Sequence, residues 1–231
     1  MLRTHIFMAA VWVHFALRFS FPLAPLFVMN LFLFLVVVAI GISILKSREQ
    51  QRRIALLGSY LGKYQIENLM ESLTEGYLRA LGESDTERQK QVWGVLAMAE
   101  KTLAVQFQRF AQEFSKVAEP QARVSKLALA LPFADRLFPG ATFDVRQAFT
   151  VHAQGITDVV ENRLNQSARD QAYMLTAELF LMQHTCHWFC RSKAVASART
   201  WARHKTAYAQ LLEAVSPGTR RAYGALVGTQ P

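Results

Sequence analysis

Seven consecutive residues, His184-Thr185-Cys186-His187-Trp188-Phe189-Cys190, hold the densest set of metal-ligating side-chain types in the chain, including its only two cysteines. On a helix, at about 100° per residue, Cys186, His187 and Cys190 share an arc of about 100°, with His184 about 60° further round. Three nitrogen or sulfur donors on one face can begin a zinc site, with a fourth ligand from elsewhere. Redox sensing by the two thiols is a second chemistry of the same residues. Packing is the third reading, and the spacing favours it. Structural zinc sites take paired ligands from turns, and no second pair occurs along this chain. Cysteine is among the most buried residue types, and Trp188 beside it suits a core. No metal ligand and no cofactor-binding residue is therefore assigned, with His184, Cys186, His187 and Cys190 kept as the candidate set.

Other catalytic signatures are missing from the sequence. It contains no P-loop, no G-x-G-x-x-G, no H-E-x-x-H and no G-x-S-x-G. Glu178 lies in an apolar run and is a candidate carboxylate of raised pKa, but a hydrogen-bonded or ion-paired acid is the simpler expectation. No catalytic residue is assigned and an enzyme is not expected.

The next constellation is basic. Arg191, Lys193, Arg199, Arg203 and Lys205 are interleaved with Trp201 and Tyr208. Residues 186–231 carry seven Lys or Arg against one acid, Glu213, a net +6 in a chain of net +9. Such a surface suits an acidic protein partner, anionic lipid or nucleic acid. Nucleic acid is not expected, because no recognisable binding module accompanies the charge. The seven residues from Arg191 to Tyr208 are assigned to partner binding.

These residues need elements to carry them, and the periodicity is helical throughout. Leu26–Leu45 runs without a charge, and twenty helical residues span about 30 Å, the thickness of a bilayer's hydrocarbon core. Lys46, Arg48, Arg52 and Arg53 follow it, and Glu49 is the first acid in the chain. A basic collar is held on the cytoplasmic side. Leu26, Phe32, Val37 and Leu45 with that collar are assigned to the membrane. Ile6–Leu17 is too short to span. It suits an amphipathic helix in the headgroup region, with a short hairpin arm or a cleaved signal as alternatives.

Beyond the collar, Ile54, Leu57 and Leu61 begin a stripe that Leu69, Leu73, Tyr77 and Leu81 continue. Gly58, Gly62 and Gly76 predict a break within it, and Gly82 its end. Ser84-Asp85-Thr86-Glu87 reads as a capping box with Ser84 as the cap. It opens a helix whose stripe is Val92, Leu96, Ala99, Leu103, Phe107, Phe110, Phe114 and Val117, stopped by Pro120. This is an ordinary bundle helix or, in the sharper reading, a homo-oligomeric coiled coil. Residues 121–134 read as a short helix and Phe138-Pro139-Gly140 as a turn. Val145, Phe149, Ile156, Val160 and Leu164 mark another helix. Ser167 caps the next, which runs through Tyr173–Cys190. That segment is apolar enough to suggest a second span. Glu178, Gln183, His184 and His187 inside it argue for a buried core helix instead, since one ionised acid at the bilayer centre costs about 2.5–3.5 kcal/mol.

The expected fold is all-α. Its parts are an interfacial helix or hairpin arm over 1–20, a transmembrane helix over 21–46, and a cytoplasmic bundle. The bundle comprises a hairpin over 47–119, a short helix and linker over 120–143, and a C-terminal unit with a basic face over 144–223. A frayed tail occupies 224–231. In a reducing cytoplasm both cysteines stay thiols.

Within residues 147–215 short motifs resemble the DotM/TrbA family, membrane subunits of the coupling complex in type IVB secretion and conjugation systems. They are His152-Ala153, Arg163-x-Asn165, Ala172-Tyr173-Met174-Leu175-Thr176 and Arg191-Ser192-Lys193-Ala194-Val195-Ala196-Ser197-Ala198. Trp201, Tyr208, Leu211-Leu212 and Val215 follow in order. The chain departs from the family in carrying one clear span instead of two. The resemblance implies a cytoplasmic helical domain beside a coupling ATPase, with a basic surface that receives acidic signals. The sequence thus points to a non-catalytic subunit of a bacterial inner-membrane machine, of the secretion or conjugation type. Its expected partners are membrane lipid and other proteins of the complex, some with acidic surfaces. Two other classes are a membrane-bound regulator or exclusion factor binding anionic lipid or a transient partner, and a metal-dependent enzyme built on the Cys/His cluster.

Overall fold

The computed structural model describes the chain from Leu23 to Gly228, with side chains from Val28 onward. The segment Ile6–Leu17, the side chain of Leu26 and residues 229–231 lie outside the described residues. The fold is mostly helical, and the chain divides into two compact units at Ser47 and Arg48.

The first unit is the N-terminal part of helix α1 (Leu23–Leu61). Its apolar side chains point in every direction: Phe32, Val37 and Leu45 are all exposed. It is long and apolar enough to cross a membrane, with mean hydropathy 2.8 over its richest window, none of it buried. An all-round apolar helix of this kind suits apolar surroundings.

The second unit begins in the last turns of α1. The helix stops at Leu61, and the glycine-weakened break predicted here falls at Gly62. Across the break the Gln65 amide donates to Gln106 Oε1 at 2.8 Å. Helix α2 (Ile66–Gly82) buries Leu73, Tyr77 and Ala80; Leu81, expected inside, is exposed. Helix α3 (Thr86–Phe114) is capped one residue later than expected. Asp85, not Ser84, accepts from the amides of Glu87 and Arg88. Its stripe from Leu96 to Phe114 is buried within the chain. Phe110 and Phe114 each meet Phe149 edge-on at 5.1 Å, and Phe114 meets Phe189 at 6.0 Å. This aromatic core leaves no seam for a second copy along that stripe, so the ordinary bundle reading holds. Tyr77 donates to the buried Glu100 carboxylate at 2.7 Å, tying α2 to α3.

Residues 119–144 depart from the expected short helix. A single turn, α4 (Glu119–Ala122), leads into strand β1 (Arg123–Ser125). The turn α5 (Ala134–Leu137) and a 3-10 turn at Pro139–Ala141 follow, and strand β2 (Thr142–Asp144) pairs antiparallel with β1. Asp144 then caps helix α6 (Val145–Val160) by accepting from the Arg146 amide. Leu164, read as part of that helix's stripe, lies beyond its end and is exposed.

Helix α7 (Ala168–Cys190) is capped by Ser167, as predicted, and is buried among the others. Three shorter helices close the unit: α8 (Lys193–His204), α9 (Tyr208–Ala214) and α10 (Pro217–Val227). The expected fraying from residue 224 is not observed, because Gly224 and Val227 are buried parts of α10.

Close approach explains one glycine. A Cβ on Gly155 of α6 would sit 2.0 Å from Thr219 Oγ1 and 2.8 Å from Glu178 Oε2. Gly58 in α1 has nothing within 4 Å. Gly155→Ala is therefore expected to destabilise the second unit by about 1–3 kcal/mol through overpacking. Gly58→Ala should stabilise it by about 0.5–1 kcal/mol through helix propensity alone. Urea unfolding of the full chain in neutral detergent checks both. Equal effects of the same sign would contradict the packing.

Candidate functional site

Helix α7 separates the residues that the sequence grouped. His184 faces inward and is fully buried, with Nε2 at 3.1 Å from Ser197 Oγ and its ring stacked on Tyr208 at 4.4 Å. Trp188 lies edge-on to it at 5.9 Å and donates from Nε1 to the Ser125 carbonyl at 2.9 Å. Cys186 turns its Sγ toward Met182 Sδ at 3.8 Å. His187 points elsewhere, its Nδ1 at 3.3 Å from the Arg199 guanidinium. Among the described residues no three His, Cys, Asp or Glu side chains converge to hold a metal ion. The Cys/His set is thus not brought together. Burial also pushes both thiols up, Cys190 to about 11, which disfavours the thiolate a metal or an oxidant needs.

A buried polar network lies on the inner side of α7. Thr185 donates to the Leu181 carbonyl and meets His152 Nε2 at 2.8 Å and the Tyr223 hydroxyl at 2.9 Å. One hydroxyl thereby joins α6, α7 and α10. Glu178, also fully buried, accepts from the Ser216 amide at 3.0 Å at the start of α10. An acid at a helix N-terminus is favourably placed. Burial pushes its carboxyl up to about 7, while the contacts with Ser216 and Thr219 pull the other way. Burial drives His152 down to about 3, with His184 adding to the effect, and His184 itself down to about 3. Both imidazoles are neutral members of the core. Glu178 was legible as a hydrogen-bonded acid, whereas no pattern in the sequence linked His152, Thr185 and Tyr223.

The outer side of α7 borders a cleft of about 490 Å³. Its apolar wall comes from Ile54, Leu57 and Gly58 of α1 and from residues of the break. Cys186, His187, Cys190, Arg191 and Arg199 line the other side. Arg191 is set by donating to Gln50 Oε1 at 2.7 Å. Arg199 is set by His187. The sequence signal for this cleft was the glycine pair Gly58 and Gly62, read there only as weakening a helix.

The predicted basic surface is partly altered. Arg191, Arg199, Trp201, Arg203 and Lys205 are exposed. Lys193 and Tyr208 are not free surface. Lys193 Nζ lies over the rings of Trp188 and Tyr208 at 5.2 and 5.1 Å, and Tyr208 is stacked on His184. Trp201 does not interleave with the arginines either. At about 100° per residue it sits roughly 160–200° round α8 from Arg199 and Arg203. Lys205 is the left-handed cap that ends α8. Of the membrane collar, Arg48 and Arg52 are exposed, but Arg53 is used inside the second unit. It pairs with Glu49 at 2.8 Å and donates to the Phe189 carbonyl at 3.3 Å.

All ion pairs among the described residues fall between Glu49 and Arg163. The cations from Arg191 to Arg221 therefore have no carboxylate partner there. No family model, no curated protein and no solved structure matches the chain.

The buried titrating groups set opposite pH slopes. Between about 4.5 and 7 the unfolded Glu178 is ionised while the folded one keeps its proton, so this group lowers stability as pH rises through that window. His152 and His184 act in the other direction and lower stability as pH falls below about 6.5. Glu178→Gln should gain about 1–3 kcal/mol relative to the parent between about pH 5 and pH 8. Chemical unfolding across that range tests it, and parallel stability profiles would contradict the assignment.

Proposed function

We propose that this chain is a non-catalytic subunit of a membrane-embedded protein machine, of the bacterial secretion or conjugation kind. In this reading Leu26–Leu45 anchors it in the inner membrane. The residues after Lys46 lie in the cytoplasm and offer a basic helical surface to acidic protein partners. The observation that carries the reading is the uncompensated charge. Among the described residues, every carboxylate that forms an ion pair does so outside the C-terminal helices. Arg199 and Arg203 stand exposed on one flank of α8, and Arg191 is exposed just before that helix begins.

Further support comes from three directions. The anchor is followed by Lys46, Arg48 and Arg52, the arrangement that holds a loop on the cytoplasmic side. The inward histidines His152 and His184 are neutral members of a core network. The short motifs resembling the DotM/TrbA family lie in the same region as the basic surface. Exposed charges of one sign accelerate and orient association with a partner of the other sign.

Purification of the complex in mild detergent from native membranes tests this. The parent chain should bring down at least one other membrane-complex protein. Arg199→Glu with Arg203→Glu should lose that partner while keeping the helical content of the parent. A parent chain that purifies alone would sink the proposal.

A further inference from the structure

The cleft beside α7 sets Arg191 and Arg199, which the protein partner reading also uses, against an apolar wall that it does not use. One wall is apolar and ungated: Ile54 and Leu57 flank Gly58, which leaves open space where a side chain would stand. Facing it are two guanidinium groups, Arg191 and Arg199, held by the neutral acceptors Gln50 and His187. Glu67 lines the same cleft, yet forms no ion pair with either. The cations are therefore positioned but electrostatically unsatisfied. Because Arg199 can only donate, His187 Nδ1 accepts from it, and in the neutral ring Nε2 carries the proton. The site thus presents donors from three side chains and no competing carboxylate bond.

Arginine pairs recognise phosphate through parallel N–H donors, and a cleft of about 490 Å³ is of the size that holds one small ligand. We infer that this cleft binds a single phosphate-bearing lipid, its head on Arg191 and Arg199 and the start of its apolar body against Ile54, Leu57 and Gly58. It is a shaped site for one molecule, distinct from the general attraction of a basic surface to an anionic bilayer.

Native mass spectrometry of the full chain in neutral detergent tests it. The probes are phosphatidylglycerol and diacylglycerol with identical acyl chains, supplied in equal amounts, so that they differ by the phosphate head. The parent should retain one phosphatidylglycerol in preference by about fivefold or more, the margin of a charge-assisted arginine–phosphate contact. Two variants should bring the two lipids to parity. Arg191→Ala with Arg199→Ala removes the head site. Gly58→Leu fills the apolar side, in a helix and in open space where the fold tolerates it. Neither variant touches the apolar anchor, so lipid bound around the anchor stays constant. Circular dichroism confirms that both variants keep the parent's helical content. Equal retention of both lipids by the parent would overturn the inference, as would a preference that survives both variants. Competition by glycerol phosphate at the same concentration as the lipid would also overturn it, by showing that the apolar wall contributes nothing.

Discussion

The second unit depends on the burial of one helix, Ala168–Cys190. Its apolar residues alone would suit a bilayer as well as a protein core, so its polar residues decide the matter. Each of the three buried ones, Glu178, His184 and Thr185, reaches a neighbouring element. Glu178 receives the Ser216 amide, Thr185 joins His152 to Tyr223, and His184 meets Ser197. A buried polar group without a partner costs more than most single contacts contribute. These groups therefore fix where α6, α8 and α10 must stand. The aromatic core of Phe110, Phe114, Phe149 and Phe189 then packs α3 against α6 and α7.

The same constraint accounts for the division of labour around α7. Inward, desolvation keeps His152 and His184 neutral and holds Glu178 in its protonated form to near neutral pH. Below neutral pH that side therefore carries no formal charge among these three groups. Outward, the helix carries His187 and leads into Arg191 and Arg199, where charge is kept in water and left without a carboxylate. The chemistry available to a partner is therefore on the outer side of α7 and on α8, while the inner side is structural.

The elements were legible wherever one residue type dictates a local outcome. The uncharged run ending at Leu45, the break at Gly62 and the cap at Ser167 each follow from a single backbone or solvation rule. The stripe from Leu96 to Phe114 was legible because helical period and burial coincide. The misreadings arose where tertiary partners outweighed local pattern. Arg123–Ser125 pairs with Thr142–Asp144 across a long loop, which no window of sequence reveals. Asp85 displaced Ser84 as the cap by a one-residue shift in where the helix begins. Lys193 and Tyr208 have surface-like sequence neighbours but are held by the rings of Trp188 and His184. The Cys/His cluster looked like one group on a helical wheel. Its members diverge because half of that wheel faces the core and half faces the cleft.

Helix α7 is a core helix of the second unit, and the proposed topology has the chain cross the membrane at Leu26–Leu45 with the later residues in the cytoplasm. Fusions at the end of the chain test this most directly. With one crossing and the basic collar inside, a green fluorescent protein fused after Pro231 should fluoresce, and an alkaline phosphatase at the same point should be inactive. If α7 instead crossed the membrane, the chain would end on the outer side. An active phosphatase and a dark fluorescent fusion would then contradict the account.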